Sequence, residues 1–273
     1  MMRFAIVLFA AVAAWGESFT VRQGEVIRVR GAARAERARM AGRTVRLFLQ
    51  EDGTRFGLMP VPVAARAGKY SLEILDADSA VLRTDAVVVR DARFPKQNIV
   101  LGKATAELKP APGEMETAAA FRENVSETRH WAEPLAMPVA GCMSSPFGVQ
   151  RLYNGKPSGN YHGGVDQRSP AGRPVRAVAA GVVKIVQAWN IHGGTVGIDH
   201  GQGLQSMYLH MSKFATKEGA VVKKGDVIGY VGSTGRSTAP HLHWSLYASG
   251  VPVDPRQWVA LKACAAGGPQ RKK

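Results

Sequence analysis

Apolar and polar residues alternate over short stretches in the first third of the chain. Residues 44–49 and 69–74 each alternate with a period of two, and residues 86–89 form a further β-rich run. A period of two places one set of side chains on one face of a strand. Short strands separated by Gly- and Asp-containing turns predict a small antiparallel β-sandwich over residues 17–93. Residues 34–39 read as a short helical turn or a loop, and nothing in this region offers a nucleophile, a metal cluster or a phosphate loop.

The pattern changes at residue 94. Pro95, Pro110, Pro112, Pro134 and Pro138 punctuate the next stretch, and the run from Gly113 to Glu123 opens with acidic residues, as suits a helix N-terminus. Residues 94–137 therefore read as a Pro-rich, helical linker packed on a neighbour. Beyond it Gly is frequent, β-branched residues cluster and helical periodicity is lost. Residues 174–186 read as two strands, 195–199 and 205–210 as a hairpin around Gly201-Gln202-Gly203, and 226–231 as another strand. The chain is expected to be mainly β, with an all-β domain over 138–260 and a basic tail over 261–273.

With 45% hydrophobic residues the chain is not a disordered polyelectrolyte. Its net charge of +15, concentrated in residues 138–260 and the tail, points to a polyanionic partner. The N-terminus narrows that choice. Arg3 precedes an apolar run over residues 4–14, well short of the ~20 residues a spanning helix needs. With Ala14-Trp15-Gly16 it has the form of a signal peptide over residues 1–16. The protein is then expected to be exported, to the periplasm, the cell envelope or the exterior, with no membrane span after leader removal. Export weighs against nucleic acid and leaves anionic envelope polymers. Cys142 and Cys264 are the only cysteines; in an exported chain they can form a disulfide or remain two thiols.

Chemistry gathers in the histidines. His162-Gly163-Gly164-Val165-Asp166 separates a His and an Asp by an even number, and His241-Leu242-His243 separates two His by two. In extended chain both spacings put the paired side chains on one face. His and Asp are zinc ligands, and three protein ligands with an open fourth position mark a hydrolytic zinc site. His210 ends an alternating strand and could move a proton, as could His241 or His243. Spacing does not decide which three of His162, Asp166, His210, His241 and His243 would bind metal. His200 reads as a turn hydrogen-bonder, and His192 and His130 as surface or packing residues.

These stretches resemble the M23 family of lysostaphin/LytM-type zinc peptidases. The resemblance rests on Ser145-Pro146-Phe147-Gly148, His162-Gly163-Gly164-Val165-Asp166, Pro174-Val175-Arg176-Ala177, Val196-Gly197-Ile198-Asp199-His200-Gly201 and Tyr208-Leu209-His210. It continues through Val222-Lys223-Lys224-Gly225-Asp226, Pro240-His241-Leu242-His243-Trp244 and Val253-Asp254-Pro255. It implies a LytM-like, Gly-rich antiparallel β domain and one Zn2+ per chain, held by His162, Asp166 and His243. His210 and His241 would be the non-ligand catalytic histidines, and peptide bonds in peptidoglycan cross-links or stems the substrate. Ala239 and Met211 stand where the family more often has Gly and Leu; neither is a ligand. Two other readings remain: a wall-binding regulator without activity, and a secreted protease cutting Gly-rich segments. The two-part layout also raises the idea that the front region or the acidic linker covers the groove.

Overall fold

The computed structural model describes residues 16–265. The leader expected over residues 1–16 lies outside them save for its last residue, as does most of the basic tail. The front of the chain forms eight strands: β1 (Ser18–Arg22), β2 (Val26–Gly31), β3 (Arg37–Met40), β4 (Arg43–Arg46), β5 (Phe48–Leu49), β6 (Arg55–Pro60), β7 (Gly68–Leu75) and β8 (Val81–Arg90). They make two sheets, ordered β1-β8-β7-β3-β4 and β2-β6-β5. Alternate residues Ala38, Val45, Leu72, Ile74 and Val87 of the first sheet meet Val29 and Met59 of the second in one buried cluster. This is a sandwich, antiparallel apart from the parallel β1–β8 pair.

Two local expectations need correction. Residues 34–36 are the loop that the sequence allows, but residues 37–39 run into β3, where Ala38 and Met40 are buried and Arg39 is exposed. Burial of alternate side chains outweighs the helix preference of an Arg/Ala/Glu run. Residues 44–49 are not one strand. The chain changes sheets at the wholly buried Leu47, so that β4 pairs with β3 while β5 pairs with β6.

Strands β2 and β6 bury side chains on both faces. Ile27, Val29 and Met59 face the sandwich core, whereas Val26, Phe56 and Leu58 join a second core with Trp131 and Trp258. The Phe56 and Trp131 rings lie 6.0 Å apart, and those of Trp131 and Trp258 5.6 Å apart, edge to face. Each such side chain contributes about 1.5–3 kcal/mol on burial, so a shared hydrophobic sheet joins the front sandwich to the C-terminal β domain.

The linker contains β9 (Lys96–Ile99), α1 (Lys103–Ala106) and α2 (Glu114–Glu123). Helix α2 starts after Gly113, whose φ of 75° suits glycine, and carries Glu114 and Glu116 in its first turn. Its Ala118 and Phe121 pack against Ile185, Met207, Leu209 and Tyr247. The remaining strands are β10 (Cys142–Ser145), β11 (Gln150–Tyr153), β12 (Lys156–Tyr161), β13 (Val165–Arg168), β14 (Pro174–Arg176), β15 (Gly181–Ala188), β16 (Gly194–Gly201), β17 (Leu204–Met211), β18 (Lys213–Phe214), β19 (Val221–Val222), β20 (Val227–Tyr230), β21 (His241–Ala248) and β22 (Val251–Val253). The main sheet is ordered β10-β13-β21-β17-β16-β15-β19, with β22 on β21. Every residue of β16 and β17 is buried, because one face meets the second core and α2 lies against the other. Cys142 and Cys264 are disulfide-bonded, with Cα atoms 4.8 Å apart. Among the described residues no helix is long and apolar enough to cross a membrane.

Candidate metal centre

Strands β13 and β21 lie side by side with Asp166 directly opposite His243. On β21 the alternation is strict: Leu242, Trp244 and Leu246 are wholly buried in the core, which leaves His241, His243 and Ser245 on the opposite, groove-facing side. Trp244 Nε1 donates to Gln167 Oε1 at 2.8 Å and fixes the two strands in this register. His162 precedes β13 in a loop, so its meeting with Asp166 comes from a bend at Gly163-Gly164 rather than from strand alternation.

His162 Nε2, Asp166 Oδ1 and His243 Nδ1 converge. Nε2 of His162 is 3.1 Å from Asp166 Oδ1 and 3.0 Å from His243 Nδ1, and the last two atoms are 2.8 Å apart. The far side of each group is occupied. His162 Nδ1 donates to the Pro146 carbonyl at 2.8 Å, His243 Nε2 donates to Ser245 Oγ at 2.9 Å, and Asp166 Oδ2 accepts from Arg151 Nη2 at 2.6 Å. In neutral rings those bonds put the lone pairs on the inward nitrogens. Burial pushes His243 down to about 4. Three inward lone pairs with no proton to share repel one another unless a cation lies between them.

Two imidazole nitrogens and one carboxylate oxygen are a zinc donor set. Ligands 2.0–2.2 Å from a tetrahedral ion lie about 3.3 Å from one another; the separations here are a few tenths of an ångström shorter. The three residues therefore fit zinc.

The motif's two glycines are not equivalent. A Cβ on Gly164 would sit 2.8 Å from His243 Nε2 and 2.5 Å from Ser245 Oγ, whereas one on Gly163 would meet only Pro252, at 3.7 Å. Gly164 is the position at which the His243 ring needs a bare backbone.

His210 and His241 flank the cluster, their ring centroids 4.9 Å apart. His210 Nδ1 donates to the Thr234 carbonyl and His241 Nδ1 to the Ala239 carbonyl, each at 2.8 Å. A carbonyl only accepts, so the neutral rings leave each Nε2 as a free base. His241 Nε2 is 3.8 Å from Asp166 Oδ1. Burial, with His241 and His243 nearby, pushes His210 down to about 3. His210 holds a left-handed backbone, φ 62°, pinned by its N–H to the His192 carbonyl at 3.0 Å.

All five sequence candidates thus meet at one place. His200 does not join them. It is wholly buried in β16, its Nδ1 donating to the Ala180 carbonyl at 2.7 Å and its Nε2 lying 2.7 Å from Ser206 Oγ. His192, expected as a surface or packing residue, lines the groove and donates from Nδ1 to Glu114 at 2.6 Å.

The groove holds about 380 Å³. Sequence reasoning missed Arg151, Ser245 and the role of Glu114. Only Ser245 carried a local signal, as the next residue in the period-two row that begins at His241. Glu114 is wholly buried, and its carboxylate accepts from the backbone N–H groups of Asn190, Ile191 and His192. The linker also pairs β9 with β11, ties Leu101 to Asn154, and accepts from Arg236 Nη2 at the Leu108 carbonyl. Among the described residues none from 17–137 lines the groove itself. The linker braces the walls and does not fill the space between them.

Residues 160–255 match the family model described as Peptidase family M23. The DD-carboxypeptidase/endopeptidase Mpg of Neisseria meningitidis is 44% identical over 113 residues, 41% of this chain and 26% of that protein. The peptidoglycan DD-endopeptidase ShyA of Vibrio cholerae is 39% identical over 112 residues, again 41% and 26%. The matched segment spans about a quarter of the length of these curated relatives. A crystal structure from Pseudomonas aeruginosa, assigned to peptidase M23, is 30% identical and superposes with a TM-score of 0.67. That match covers 86% of this chain and 93% of the other, so the likeness extends ahead of residue 138.

Proposed function

The chain belongs to peptidase family M23, and from that premise we propose that it is an exported zinc endopeptidase cutting peptide bonds in the cross-links or stems of peptidoglycan. The observation that carries the reading is the convergence of His162 Nε2, Asp166 Oδ1 and His243 Nδ1 beside two further histidines with free Nε2 atoms. His162, Asp166 and His243 would hold the zinc. When bound, the ion polarises the scissile carbonyl and lowers the pKa of water to about 7.

The chain's own groups do the rest. Of His210 and His241, one takes the proton of the attacking water at Nε2 and hands it to the leaving amine. The other, carrying a proton at Nε2, donates a hydrogen bond to the tetrahedral oxyanion. Their Nδ1–H bonds to Thr234 and Ala239 fix both rings for these roles. Burial keeps His210 neutral at physiological pH. The relatives named as DD-endopeptidases support the substrate, and the leader-like run over residues 4–14 together with the disulfide supports export. An inactive wall-binding regulator would not need five intact groups in this geometry.

The test is zinc content with activity. Purified protein should carry about one zinc per chain and release new amino groups from cell walls, and His243→Ala should abolish both. Zinc-loaded protein that binds walls but releases no amines would favour the regulator, and cleavage of pentaglycine but not of wall peptides the Gly-directed protease.

A further inference from the structure

Arg236 sits on the loop between β20 and β21 and lines the groove together with His162, His210 and His243. Three contacts hold it. Its backbone N–H donates to the Ile191 carbonyl at 2.9 Å, its Nη2 donates to the Leu108 carbonyl at 3.1 Å, and its guanidinium lies 5.7 Å from the centre of the Tyr153 ring. Nε is buried without a partner, and Nη1 has no partner among the described residues. No carboxylate among those residues lies within ion-pair distance of it. The two nearby acids are spoken for: Asp166 faces the histidines and Arg151, and Glu114 is wholly buried against residues 190–192. Among the described residues, no acidic side chain lines the groove.

A fixed, partly desolvated guanidinium without a counter-ion, in a concave site that no acidic side chain lines, suits a planar carboxylate. We propose that Arg236 binds a substrate carboxylate, so that the groove prefers peptides bearing a free carboxylate close to the scissile bond over otherwise identical neutral peptides. This rests on the peptidase reading above and sharpens it: stem peptides with free carboxylates become better substrates than neutral glycine chains.

The test uses the full, zinc-loaded chain and pairs of synthetic peptides that differ only as carboxylate or carboxamide. The group is moved one residue at a time from the scissile bond, on side chains and at the C-terminus, to separate the two sources. Wild-type protein should favour the best-placed carboxylate in kcat/KM on the order of tenfold, mostly through KM, the size of one charge-assisted hydrogen bond. Arg236→Gln should bring that ratio close to one, and Arg236→Lys should restore part of it. Because each ratio is taken within one protein, a loss of folded enzyme cancels. Calorimetric binding of the two peptides to metal-free protein should show the same preference and the same loss. A wild-type ratio near one at every position, or an unchanged ratio in Arg236→Gln, overturns the proposal. No cleavage of any peptide by wild type overturns the peptidase reading, and the proposal with it.

Discussion

Arg151 and Asp166 form a 2.6 Å ion pair that commits one carboxylate oxygen of Asp166 to a guanidinium and leaves the other facing His162 and His243. A carboxylate free to rotate would offer either oxygen, so Arg151 is the group that orients this donor. Partners of this kind are typically worth 10–100-fold in metal affinity or activity. Arg151→Gln should therefore weaken zinc binding by about tenfold or more in a competition titration with a chelating dye. Unchanged zinc affinity would mean that the cluster orients Asp166 without help.

The glycine pair gives a sharper contrast. Gly163→Ala should be tolerated, because its Cβ would meet only Pro252. Gly164→Ala should displace the His243 ring and lower both zinc content and wall hydrolysis, because its Cβ falls on His243 Nε2, Ser245 Oγ and the Trp244 carbonyl. Metal analysis of the two purified variants side by side checks this.

His200 makes stability depend on pH without entering the active site. Burial pushes it down to about 4 in the folded chain, against about 6.5 when unfolded. The neutral ring is then favoured by folding. Its contribution is full above pH 6.5 and is lost as pH falls from 6.5 through 4, to a total of roughly 3 kcal/mol. Urea unfolding at pH 7.5, 6 and 5 should show this loss, and His200→Gln should flatten the slope across that window.

Glu114 is expected to matter for both stability and catalysis. Removing its carboxylate leaves the backbone N–H groups of residues 190–192 without their acceptor, at about 1–3 kcal/mol for a buried group. The same segment holds His210 through the His192 carbonyl. Glu114→Ala should lower the melting temperature, speed hydrogen exchange at Ile191 and His192, and reduce kcat on wall peptides. Normal kcat with a lowered melting temperature would limit Glu114 to a structural role.

Several of the strands, and the placing of His241 and His243 on one face, were legible in the sequence because alternation is a local signal. Leu242, Trp244 and Leu246 mark the buried side of β21 and so place His241 and His243 opposite. The hairpin of β16 and β17 was announced by Gly201-Gln202-Gly203. Other features had no local signature. Residues 34–40 hide the inward pair Ala38 and Met40 among charged neighbours. The polar β9, Lys96-Gln97-Asn98-Ile99, is a strand only because it pairs with β11. Arg151 and Glu114 act on partners brought near by the fold, Glu114 on a loop more than seventy residues further along, and no spacing rule marks such residues.

The most direct measurement is mass analysis of the products that the zinc-loaded chain releases from purified peptidoglycan. A zinc endopeptidase of this design should release fragments that have gained one water at a peptide bond, with a new amino and a new carboxyl terminus, and none should come from His210→Ala protein that still carries its zinc. Intact walls, fragments cut at glycosidic bonds, or the same fragments from His210→Ala would contradict it.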